Sequence, residues 1–322
     1  MTNAINRRAL LFGWPALAVL TRAADGPSPP KGNSRTSLRV PFWPAQQPQL
    51  PASAVVQAKV NGEAARIARL LGPADDLIVL LVFDVSGDLS RVDPARDAIN
   101  ARLQELRPNV LVSLLRAQDG LRVLKDPTPD RAAITGAIQE LTISGRAGLI
   151  DTVETALALA DAMLAKAKVR VAVLYVSDSL VGNYREDFAN PVVNSSDSRD
   201  MSRRFPEALI KERMQQVLAR VGRTQTPLFV VQLSYENDRL NEAYQTGLIE
   251  VAAATGGVAE FCRTLVEIPT VIDGMIKRIA DHSSAEIEFP IAKARQWDVE
   301  LVAEGTEVRY RNRFLPGGTG KR

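Results

Sequence analysis

Asp84, Ser86 and Asp88 follow directly on seven apolar residues in the stretch LIVLLVFDVSGDLS, Leu77 to Ser90. Oxygen-bearing side chains at that spacing, on a loop leaving a buried strand, are the ligands a hard cation takes. Asp178 stands in the same setting, after the apolar run VRVAVLYV and Ser177. A third run, PLFVVQL, ends in Ser234-Tyr235-Glu236-Asn237-Asp238. In an open parallel sheet, ligands bind outside the carboxyl ends of the strands. Asp84, Ser86, Asp88 and Asp178 therefore share one edge if the first two strands are neighbours. Mg²⁺ or Ca²⁺ is the ion expected there. Without a cation the grouped carboxylates repel, and at least one pKa rises. The alternative is that no ion binds: Asp84 and Asp178 then accept from backbone amides and Ser86 caps the next turn.

Other chemistries fail on residue counts. His282 is the only histidine and Cys262 the only cysteine, which leaves no intrachain disulfide and no Cys/His zinc site. A Ser-His-Asp arrangement would need His282, which stands at a helix end in ADHSSAE. The segment PGGTGKR resembles a phosphate loop but has Leu315 where the first glycine must be. Cys262 reads as a small core residue.

The elements that must hold these residues follow from hydrophobic period. The continuous apolar runs 77–83, 169–176 and 227–233 predict strands covered on both faces. Helices are expected over 93–106, with Asp93 as cap and Pro94 in the first turn, and over 129–141, 149–168, 206–221, 240–255 and 268–283. Strands are expected at 109–117, 121–126 and 258–265. Strand and helix alternating in this way give a doubly wound, Rossmann-like α/β unit with a mostly parallel sheet. Asn61-Gly62 marks a hairpin turn between two short strands near the start. A second period-two pattern surrounds Glu304-Gly305, with Val299 and Leu301 before it and Val308, Tyr310 and Phe314 after it. The two hairpins are expected to join as one small β-rich element from both ends of the chain, since neither is stable alone.

The expected divisions are a signal at 1–24, a Pro-rich linker at 25–52, a β-hairpin segment at 53–75, the α/β domain at 76–284, a C-terminal β-hairpin segment at 285–316 and a tail at 317–322. The first of these has Arg7-Arg8, an apolar run from Ala9 to Leu20 and Ala23-Ala24, the order of an export signal. The run is too short to span a bilayer, so no stable membrane span is expected after cleavage. Periplasmic or secreted localisation follows, with Arg7-Arg8 resembling a twin-arginine signal. The chain has 322 residues, 46% hydrophobic and 24% charged, an ordinary globular composition. Removing Arg7, Arg8 and Arg22 with the signal takes 40 basic residues to 37, against 37 acidic ones. A chain so balanced has no electrostatic footprint for nucleic acid.

Over residues 54–315 the order of these motifs resembles the von Willebrand factor type A domains, and in its β-rich flanks the secreted bacterial subgroup of that family. FDVSGD falls where the family's metal-ion-dependent adhesion site has Asp-x-Ser-x-Ser. GRAGLIDTV falls at its Thr loop, and YVSDS at its last Asp, which is Asp178. Asp88 stands where the family has the second Ser, Ala147 where it has Thr, and Arg146 where it has Gly. The resemblance implies an α/β fold of von Willebrand A type, a non-catalytic protein-binding function and a protein partner. It also implies an altered metal site of Asp84, Ser86, Asp88 and Asp178. The guanidinium of Arg146 is a candidate surrogate cation for that acidic cluster. Alternative functions are a metal-assisted hydrolase and a structural component of an envelope complex. The long segment 179–205 lies on the same edge and carries Tyr184, Asp187, Phe188, Arg199 and Arg203 as a possible partner surface.

Overall fold

The computed structural model describes residues 35–45, 50, 55–184, 206–290 and 294–316. The expected signal, the tail and segment 185–205 lie outside them.

Three strands precede the long apolar run: β1 (Arg35–Pro44), β2 (Val56–Val60) and β3 (Glu63–Leu71). Asn61-Gly62 turns β2 into β3, both residues having positive φ, as the tight hairpin turn requires. The middle of the chain supplies β4 (Leu77–Asp84), α1 (Leu89–Glu105), β5 (Val110–Arg116), β6 (Arg122–Thr128), α2 (Arg131–Gln139), α3 (Leu149–Lys166) and β7 (Arg170–Ser177). It continues with α4 (Pro206–Val221), β8 (Leu228–Gln232), α5 (Arg239–Thr255), β9 (Ala259–Phe261) and α6 (Glu267–Asp281). Then come β10 (Ser283–Pro290), β11 (Trp297–Ala303), β12 (Val308–Tyr310) and β13 (Arg313–Phe314).

The central sheet has the order β6-β5-β4-β7-β8-β9, and every pairing is parallel except that of β5 with β6. β4 shows why its sequence is apolar throughout. Leu77, Val79, Leu81 and Phe83 enter one core with α1, α2 and α6, while Leu80 and Val82 enter the other with α3, α4 and α5. A strand covered on both sides has no position for a polar residue until it ends. α5 stops at Gly256, whose φ of 91° is the left-handed C-cap. At Gly257 a Cβ would lie 1.8 Å from the Leu228 carbonyl oxygen, so the chain passes β8 closer than any side chain permits.

The remaining strands form an antiparallel sheet of order β12-β1-β10-β3-β2-β11-β13 around Leu38, Phe42, Ile287, Val299 and Phe314. It curls until its two ends meet. The Val299 amide donates to the Asn312 carbonyl at 2.7 Å, and the Leu301 amide to the Tyr310 hydroxyl at 2.9 Å. β3 and β10 are neighbours in this sheet, so the whole α/β unit is inserted between adjacent strands. Arg170, fully buried at the start of β7, holds the two crossings together. Its guanidinium donates to the carbonyls of Pro73 and Asp75 on one side and of Ala280 and His282 on the other, at 2.6–3.1 Å.

Three local expectations change. Residues 35–44 lie in the expected linker but form β1, with Leu38, Val40 and Phe42 buried. Their period-two pattern outweighs the prolines, and Pro41 is tolerated because β12 pairs only with Phe42–Pro44. α1 begins a turn before Asp93, because Asp88 caps it and leaves Pro94 inside the helix. β11 and β12 are not a simple hairpin: β12 pairs with β1 and β11 with β2, and an isolated bridge joins Ala303 to Thr306 in the turn between them.

Candidate functional site

Asp84 is the last residue of β4, and strand alternation turns its side chain to the α3 face, where Leu80 and Val82 already point. Ser177, opposite it on β7, points the same way. The Asp84 carboxylate is fully buried and receives four donors. Its Oδ1 accepts from the Gly148 amide at 2.7 Å, and its Oδ2 from the Leu149 amide at 3.1 Å, the Ser177 hydroxyl at 3.2 Å and the Tyr184 hydroxyl at 3.4 Å. Gly148 is the N-cap of α3 and has no side chain to cap with, so Asp84 caps that helix from another element. A Cβ on Gly148 would lie 1.9 Å from the Ala117 carbonyl oxygen, which is why glycine stands at this contact. Burial pushes the Asp84 pKa above the ordinary carboxylate value, and the Gly148 and Leu149 amides oppose that rise.

Asp178 follows β7 and clamps the neighbouring loop. Its Oδ1 accepts from the Ser86 amide at 2.7 Å and the Ser86 hydroxyl at 3.1 Å. Its Oδ2 accepts from the amides of Gly87 at 3.2 Å and Asp88 at 3.1 Å. The Ser86 hydroxyl also accepts from the Asn183 side chain at 3.2 Å. Gly87 has a φ of 150°, which brings three successive amides onto one carboxylate.

Asp88 is directed outward. Its Oδ1 accepts from the Ser90 amide and hydroxyl, and its Oδ2 from Arg91 Nε at 2.9 Å. Those contacts, the Ser90 hydroxyl first, hold its pKa below the usual carboxylate value. Arg91 also donates to the Leu233 carbonyl at 2.8 Å, which ties α1 to the end of β8. Arg146 is exposed, and its backbone exchanges two hydrogen bonds with Asp119: amide to Oδ1 at 3.0 Å and carbonyl to the Asp119 amide at 3.2 Å. Ala147 is buried against the core below α3.

Ser86, Asp88 and Asp178 thus line one cleft of about 570 Å³ at the carboxyl edge, together with Arg91, Asn183, Ser234 and Glu236. Asp84 lies beneath it, sealed from its surface. Among the described residues, no group of three His, Cys, Asp or Glu side chains is placed to hold an ion. The sequence places Ser234 and Glu236 on this edge without assigning them to the site, and gives Arg91 no part in it. Ser234 has a buried hydroxyl with no hydrogen-bond partner among the described residues. Glu236 forms no ion pair among them. Arg91 pairs with Asp88 at 2.9 Å. Arg91 lies three residues after Asp88, so a cap-and-pair pattern was present in the sequence.

Beside the cleft, the loop after β9 exposes apolar surface. Val266 is 86% exposed and Leu265 45%, and Leu89 across the edge is 55% exposed. Arg263 stacks over the Tyr235 ring at 5.0 Å, and Tyr235 meets Phe261 edge-on at 6.2 Å.

No known protein-family profile and no curated protein matches the chain. Solved structures do resemble it, at low identity. A von Willebrand factor type A protein from Catenulispora acidiphila is 12% identical over 88% of this chain and 74% of its own, with a TM-score of 0.44. Proximal thread matrix protein 1 from the mussel byssus is 12% identical over 69% of this chain, with a TM-score of 0.44. The PilB minor pilin from Streptococcus sanguinis is 14% identical over 67%, with a TM-score of 0.42. The chain spans about half of the mussel protein, 51%, and 63% of the pilin.

Proposed function

We propose that the chain is an exported, non-catalytic protein-binding module of von Willebrand A type that recognises a partner through its carboxyl-edge cleft without an obligatory cation. One observation carries the reading: the carboxylates that would hold an ion are already filled by the chain's own donors. Mg²⁺ wants about six oxygens in near-octahedral array, and Ca²⁺ wants six to eight. Asp84 and Asp178 each accept four hydrogen bonds, Asp88 is paired with Ser90 and Arg91, and Ala147 offers no oxygen. The donor set fits an ordered loop better than a tightly held Mg²⁺ or Ca²⁺.

A metal site of this kind would seek a carboxylate from the partner. The cleft as built seeks the opposite charge. Glu236 and Asp88 lie on its walls and Ser234 offers an unused hydroxyl, so a basic side chain of the partner fits it, flanked by apolar contact on Leu265 and Val266. Export rests on the Arg7-Arg8 and Ala9–Leu20 pattern. Among the described residues that line the cleft there is no histidine, cysteine or lysine.

Val266 is the N-cap of α6 and makes no side-chain capping bond. Val266→Asp therefore puts a better capping residue there while removing the apolar contact. The expected outcome is a partner retained from periplasm or medium by the wild-type chain in EDTA and lost by Val266→Asp, with thermal stability unchanged or raised. Calorimetric titration with Mg²⁺, Mn²⁺ and Ca²⁺ is expected to show no tight binding. Partner binding that requires a divalent ion and disappears in Asp84→Ala would overturn the proposal.

A further inference from the structure

At the amino ends of β8 and β9, away from the carboxyl edge, the α/β unit and the curled sheet enclose a cleft of about 550 Å³. Its volume is in the range of small-molecule sites, roughly 300–1,000 Å³. Trp43, Phe229 and Val258 form its apolar walls, and the Trp43 ring is held in place. Trp43 donates its indole N–H to the Arg278 carbonyl at 2.8 Å and packs edge-on to Phe229 at 5.9 Å. Tyr310 touches the lining from β12, but its ring packs into the curled sheet, where its hydroxyl accepts from the Leu301 amide at 2.9 Å.

The lining also carries Lys277, Arg278, Arg309 and Arg311 against one acid, Asp281. Arg311 is committed to the Gly222 and Thr224 carbonyls. Arg278 approaches Glu260 only at 3.9 Å. Lys277 and Arg309 have no carboxylate partner among the described residues. Gly274 opens the cleft from within α6. A Cβ there would meet nothing within 4 Å, yet a mid-helix glycine costs about 1 kcal/mol relative to alanine. Lys277, Arg278 and Asp281 follow it at helical spacing, on the same face.

We propose that this cleft binds an amphiphilic carboxylate, its apolar body lying along Trp43, Phe229 and Val258 and its acid group meeting Lys277 and Arg309. Fixed aromatic walls supply contact at little entropic cost, and the two cations supply charge-assisted hydrogen bonds. Asp281 on the same lining disfavours a polyanion, so a single acid group is the match.

The full chain titrated with 2-naphthoate and with dodecanoate tests this, and the two arms separate aromatic from alkyl ligands. At least one is expected to bind saturably, one per chain, with the neutral 2-naphthamide or dodecanamide roughly tenfold weaker. The double variant Lys277→Ala/Arg309→Ala should weaken the acid by a similar factor and leave the amide unchanged. Gly274→Leu, a substitution a helix accepts readily, should abolish binding of both while leaving thermal unfolding intact. Absence of saturable binding by either acid at millimolar concentration overturns the proposal. So does an amide that binds as well as its acid, or binding that survives Gly274→Leu.

Discussion

His282 shows how far burial can take one side chain. It is 1% exposed, its Nδ1 lies 2.7 Å from the Ile279 carbonyl, and its ring faces Trp43 at 5.8 Å. Burial first, and the Arg170 charge second, push its pKa down to about 3. The unfolded value is about 6.5, so between pH 6.5 and 3 the unfolded chain binds the extra proton. Stability is therefore full above pH 6.5 and falls with pH through that window. At pH 5 the loss from this residue is about 2 kcal/mol. Asp84 acts with the opposite sign, because its raised pKa favours the protonated folded form as pH falls. Denaturant unfolding of the wild type and of His282→Leu at pH 7 and pH 5 separates the two; the variant should lack the 2 kcal/mol decline, and equal slopes would show that His282 is not its source. The sequence marked Asp84, Ser86, Asp88 and Asp178 as a group because each ends or follows an apolar run. It did not reveal their separate tasks. Which donors meet each carboxylate depends on amides from segments more than 60 residues away, such as Gly148 at Asp84 and Ser86 at Asp178.

At the level of elements, the alternating apolar runs made β4, β7, β8 and their helices legible, since a strand covered on both faces has a distinctive composition. β1 was harder to see. Its prolines suggest a linker, and its burial depends on β10, a strand some 240 residues later. The start of α1 was also displaced, because Asp88 and Asp93 are both acceptable caps and the choice rests on the Asp178 clamp. Two glycines allow a test of how closely elements approach. Gly148→Ala would drive a methyl group into the Ala117 carbonyl at the start of α3, and it is expected to cost more than about 3 kcal/mol. Gly274→Ala meets open space in α6 and should stabilise by roughly 0.5–1 kcal/mol. Urea midpoints for the two variants should move in opposite directions; a neutral Gly148→Ala would mean that α3 can withdraw from β5 without cost.

For the whole molecule, the insertion of the α/β unit between β3 and β10 couples two cores at the buried guanidinium of Arg170. Arg170→Leu would leave the carbonyls of Pro73, Asp75, Ala280 and His282 without that donor, at a cost of about 4 kcal/mol. Because these carbonyls lie on both crossings, the variant is expected to split one thermal transition into two, read by near-UV and far-UV circular dichroism. A single transition merely shifted downward would show that the cores are joined by other contacts. The same insertion also orders events on the ribosome. β3 ends at Leu71 and its neighbour β10 begins at Ser283, so β1, β2 and β3 emerge first and wait about 210 residues for the strand that pairs with two of them. At the usual pace of synthesis that is roughly 10–40 s during which apolar strands have open edges. The inserted unit is itself completed only at the end of that interval, because α6 ends at Asp281, so β1, β2 and β3 wait longest for their partners and are the strands most in need of a chaperone.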